Sequence, residues 1–179
     1  MVDPVGSRRW LFRGLYVLVV TAIVFVQVLP ATAEAGRWPG PDLILAVTLA
    51  WALRRPDFVP PALAGLVLLM ADLMLQRPPG LWAALVVLAL EVIRARNTLW
   101  RDLPFLAEWA VISVLMAAVV VVNWLILELF MVAQPDMGLY LIGLVFTVLS
   151  YPPVVLVSSF VLGVRKPAPG AVDALGHRL

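Results

Sequence analysis

The chain has 179 residues, of which 63% are apolar and only 13% charged, with a net charge of +2. A soluble domain runs nearer half apolar and a quarter charged, so the composition excludes that class. There is no cysteine, which removes disulfides, thiolate nucleophiles and cysteine metal sites, and no basic-aromatic stretch suggests a nucleic-acid surface.

A bilayer core of about 30 Å asks for roughly 20 apolar residues per helix. Six apolar runs qualify as spans of a polytopic, all-α bundle: 15–29, 41–53, 59–75, 81–93, 105–132 and 139–164. Together they make one membrane domain over 1–164, followed by a short polar tail, 165–179. The breaks are rich in Pro, Gly and Arg: ATAEAGRWPG, RRPDF, QRPPG, RARNTLWRDLP and AQPDMG. Proline lacks the amide that continues a helix, and charge resists hydrocarbon. The second and fourth runs hold about 13 residues each. They must borrow flanking residues, thin the bilayer or form a protein-shielded re-entrant hairpin. The first run also has signal-peptide features: Arg8, Arg9 and Arg13 before it, and Ala31-Thr32-Ala33 after it. The expectation is that it is retained.

Charge sets the orientation. With the N-terminus cytoplasmic and six crossings, the inner segments hold Arg8, Arg9, Arg13, Arg54, Arg55, Arg94, Arg96, Arg101, Arg165, Lys166 and Arg178. Only Arg37 and Arg77 remain outside. That bias predicts both termini in the cytoplasm. Trp10, Trp51, Trp100 and Trp109 then mark the inner interface, and Trp38, Trp82 and Tyr140 the outer one.

Catalytic chemistry is poorly provided for. The one histidine, His177, lies in the polar tail, and no HExxH or P-loop pattern is present. The carboxylates are scattered, so neither a metal nor another cofactor is expected. Several have structural explanations. Asp42 follows Pro41 at a helix start, where it faces the positive end of the dipole. Asp102 and Asp136 precede helices, Glu91 and Arg94 can pair on one face, and Asn123 suits an interhelical hydrogen bond. Pro152-Pro153 must bend the last span and free carbonyls near Val148 and Leu149.

Asp72 is less easily explained. It lies in LAGLVLLMADLML, near the end of the third span, where a carboxylate is costly unless protonated, paired or facing protein. Gly65 and Gln76 share roughly its face, and Arg77 is the nearest cation in sequence. The turn QRPPG leads straight back into the next helix. Asp72 is therefore expected either to cap the amides near 81–83 or to orient a surface for a partner. A proton relay would need a second acidic group in register.

The stretch Pro41-Asp42-Leu43-Ile44-Leu45, the Arg54-Arg55 turn and GLVLLMADLMLQRPPGLWA from Gly65 to Ala83 resemble the rod shape-determining protein family MreD. The matching residues are Pro41, Asp42, Gly65, Asp72, Pro79, Gly80 and Leu81. Length, span number and the near absence of soluble loops fit across the chain. The resemblance implies a fold like that of the substrate-binding subunits of vitamin-uptake (ECF-type) transporters. It also implies a scaffold role in the bacterial inner membrane. The implied partners are a single-pass MreC-like protein and, indirectly, the MreB filament and RodA with its transpeptidase. Asp42, Gly65, Asp72, Arg77, Pro79 and Gly80 become candidates for a partner-binding or structural turn. The alternative is a small-molecule-binding subunit of the vitamin-uptake type, for which Gln27, Asp72, Asn123, Glu128 and Trp38 are the available outer polar groups.

Overall fold

The computed structural model describes residues 4–29, 39–100 and 103–164. Ala31, Thr32, Ala33, Arg37, Trp38, Asp102, His177 and the rest of the tail lie outside those residues. The described residues form α1 (Pro4–Val28), α2 (Leu43–Arg54), α3 (Pro61–Met74), α4 (Leu81–Ala95), α5 (Asn97–Trp100), α6 (Phe105–Leu129) and α7 (Met137–Phe160), with no strand among them.

Among the described residues three helices are long and apolar enough to cross a membrane: α1 over Gly6–Val28, α6 and α7. The other three expected spans form shorter helices of 12, 14 and 15 residues. Six full-length spans are therefore not what the helices provide. The reason is visible in α2, where every residue from Ile44 to Leu53 is buried. It packs against α1, α4, α6 and α7. A helix wrapped by protein meets little lipid at its ends, so a length of roughly 18 Å is tolerable. The outer helices α1, α6 and α7 expose apolar side chains such as Phe25, Leu125 and Leu149 instead.

Local chemistry sets the helix ends. Pro61 occupies the first turn of α3, where its missing amide costs nothing. The C-terminus of α3 closes as a Schellman motif. The Arg77 amide donates to the Asp72 carbonyl at 2.9 Å and the Gln76 amide to Leu73, with Gln76 at φ +55°. Gln76 therefore leaves the helix face it was expected to share with Gly65 and Asp72. The same pattern ends α6, where Val132 reaches the Leu127 carbonyl and Met131 has φ +52°.

Two polar layers bracket the core. At one end Arg9 and Arg13 meet Asp57, and Arg94 donates to the Pro56 carbonyl rather than pairing with Glu91. Just inside it, Arg54 pairs with buried Glu108 at 3.0 Å, and the Tyr151 hydroxyl donates to the same carboxylate at 2.7 Å. Trp51 is fully buried and its indole donates to the Ser158 hydroxyl at 2.9 Å, so it is a core residue and not an interface anchor. Tyr16 and Thr48 share a buried hydrogen bond at 3.0 Å. The Val148 carbonyl freed by Pro152 accepts the Trp109 indole N–H at 3.0 Å, which resolves the unpaired acceptor left by the proline. The opposite end holds the starts of α2, α4 and α7.

Candidate functional site

The turn between α3 and α4 shows why its residues are needed. The Leu81 amide reaches back to the Pro78 carbonyl, and Gly80 has φ +87° and ψ −18°. These are the dihedrals of the third residue of a type II turn, which favours glycine there and proline just before it. Pro79 and Gly80 meet that demand. The turn folds α4 back along α3. At Gly65 an added Cβ would stand 3.4 Å from a Val87 methyl, an ordinary contact, so this pairing does not itself require glycine there.

The tight return brings the amides at the start of α4 onto Asp72. Its Oδ2 accepts from the Gly80 amide at 3.1 Å and from the Ala83 amide at 3.2 Å. Asp72 is fully buried, and its Oδ1 has no hydrogen-bond partner. Asp42 does for α2 what Asp72 does for α4. Its Oδ1 accepts from the Leu45 amide at 2.9 Å, and its own amide donates to the Thr147 hydroxyl of α7 at 2.9 Å. The Arg77 guanidinium makes its ion pair with Asp42 at 3.2 Å, and its charge also acts on Asp72, as expected of the nearest cation in the chain. It also lies 5.2 Å above the Trp82 ring. One corner thus joins the start of α2, the end of α3 and the start of α4 through Asp42, Arg77 and Asp72. Asp136 stands at the start of α7 without a side-chain cap.

Beside this corner is a cavity of about 470 Å³ between α6, α7 and the loops at that end. Val120, Asn123 and Leu127 of α6 and Tyr140, Leu144 and Thr147 of α7 line it, together with Asp42, Arg77 and Trp82. Asn123, expected to bond to a neighbouring helix, instead forms part of this wall. Trp82, placed at an interface by the sequence pattern, is only 8% exposed, and its indole nitrogen is buried without a partner. Of the other outer polar groups, Asp72 is buried and does not line the cavity. Glu128 accepts from Gln134 at an exposed position, and Gln27 is not among the lining residues.

The contributions of Trp82, Tyr140 and Thr147 were missed from the sequence. Trp82 and Tyr140 read as belt aromatics, and the Thr147 role depends on its meeting Asp42 across 105 residues. Among the described residues no group of three metal-ligating side chains comes together. No protein-family model, curated protein or solved structure matches this chain.

Proposed function

We propose that the protein is a multi-pass scaffold of the bacterial inner membrane that serves cell elongation, as the resemblance to the MreD family implies. In this reading α2, α3 and α4 complete six crossings, both termini are cytoplasmic, and the protein has no enzymatic activity of its own. The observation that carries the reading is the corner itself. Of the residues behind the resemblance, Asp42, Asp72, Pro79 and Gly80 belong with Arg77 to one interlocked turn, while Gly65 lies further back along α3. A scaffold needs such rigidity, because partners can recognise only a fixed arrangement of helix faces. The partners would be a single-pass MreC-like protein and, through it, MreB and the RodA synthase pair.

Depleting the protein should turn rod-shaped cells round, and purification in mild detergent should bring a single-pass partner with it. Normal rods after complete loss, with no second copy of the gene, would overturn the reading. A second reading, a small-molecule-binding subunit of the vitamin-uptake type, is favoured by the cavity beside the corner. A small molecule co-purifying at one per chain would favour it over the scaffold.

A further inference from the structure

The cavity beside the α3–α4 turn has unused hydrogen-bonding capacity in its wall. Trp82 is 8% exposed, and its indole N–H is buried with no acceptor. Buried donors almost always have partners, and an orphaned one costs about 1–3 kcal/mol. Asn123, 7% exposed, lines the same space. Arg77 spends one N–H on Asp42 and has others to offer. The two charged groups of the wall, Asp42 and Arg77, are already paired.

The charge at this corner is nearly balanced. Asp42 and Asp72 each meet a helix start carrying roughly half a positive charge, and Arg77 supplies one more. An added anion would face the two carboxylates, and an added cation would face Arg77. The remaining capacity is for an uncharged molecule that accepts hydrogen bonds. Val120, Leu127 and Leu144 supply apolar contact for its body. The volume of about 470 Å³ falls within the range of small-molecule pockets, roughly 300–1,000 Å³.

We propose that this cavity binds an uncharged, largely apolar ring compound carrying hydrogen-bond acceptors along one edge, which take the Asn123 amide and, once the Trp82 ring turns its edge into the cavity, the indole N–H. The site goes beyond the scaffold reading and does not depend on it.

Four flat bicyclic probes of similar size test it on the full chain in detergent micelles: coumarin, naphthalene, coumarin-3-carboxylate and N-methylquinolinium. The readout is the indole N–H resonance of Trp82, assigned by its loss in Trp82→Phe, with the other tryptophan resonances reporting the fold. Coumarin should move that resonance saturably, and naphthalene should not. Measured by equilibrium dialysis of coumarin, which needs no Trp82 signal, Trp82→Phe should weaken binding roughly fivefold to tenfold, the worth of one hydrogen bond. Asn123→Leu, with every remaining tryptophan resonance in place, should weaken it at least as much. Equal shifts from naphthalene would reduce the site to an apolar void. Tighter binding of either charged probe would overturn the charge balance. No saturable shift with any probe would mean that the cavity holds no such ligand, and the proposal would fail.

Discussion

The Asp72 carboxylate accepts a hydrogen bond from the Ala83 amide, eleven residues further along the chain, at 3.2 Å. The same oxygen also takes the Gly80 amide, so one buried side chain satisfies two of the free donors at the start of α4. Asp72 thereby couples the last turn of α3 to the first of α4 and makes the type II turn between them a fixed corner.

Replacing this cap should be graded by chemistry. Asp72→Asn keeps an accepting oxygen and should lose about 1 kcal/mol or less. Asp72→Leu leaves both amides unpaired away from water and should cost about 2 kcal/mol or more. Denaturant titration of the purified protein in micelles measures both. If Asp72→Leu retains full stability but abolishes partner capture, capping is not its role, and the residue belongs to a binding surface.

The Arg54–Glu108 pair should be the most sensitive polar contact in the core. Glu108 is 1% exposed and the Arg54 side chain 11%, so removing one charge strands the other. Glu108→Gln should cost about 3–5 kcal/mol. The double variant Arg54→Met, Glu108→Gln should recover part of that loss, because no unpaired charge remains. A double variant less stable than Glu108→Gln alone would show that Arg54 has a second, stabilising role.

These two sites differ in how legible they were. Asp72 announced itself locally: a carboxylate in an apolar run, a proline-glycine turn, and a second helix at once. Asp42 was equally readable as a helix cap after proline. Glu108 was not, because its partner lies 54 residues away and nothing near it in the chain demands a cation. Trp51 and Trp82 misled for a related reason. An indole near a helix end suits an interface, and only packing shows that these two face inward. The short length of α2 was readable, but its position at the centre of the bundle was not, since that depends on which helices surround it.

Topology follows from the same end-to-end division. Arg9, Arg13, Arg54 and Arg94 gather where α1 and α3 begin and α2 and α4 end, and this end should face the cytoplasm. Reporter fusions at Pro56, Asn97 and Ala168 should read as cytoplasmic. Those at Arg37 and Gly138 should read as periplasmic. A cytoplasmic signal at Gly138 would rule out six crossings.

The prolines inside α7 offer the sharpest test of a single hydrogen bond. Pro152 cannot donate to the Val148 carbonyl four residues earlier, and the Trp109 indole of α6 takes that acceptor at 3.0 Å. Trp109→Phe keeps most of the ring but leaves the carbonyl bare, and should cost about 1–2 kcal/mol. Pro152→Ala restores an amide that can close the helix onto Val148, and the carbonyl then no longer needs the indole. In the Pro152→Ala background, Trp109→Phe should therefore cost at least about 0.5 kcal/mol less than in the wild type. That difference is a coupling energy, obtained from four unfolding measurements. Its sign separates two accounts of Trp109. If the indole acts only as apolar bulk between α6 and α7, the two losses add and the coupling is zero. If it replaces the amide that proline removed, the variants offset one another.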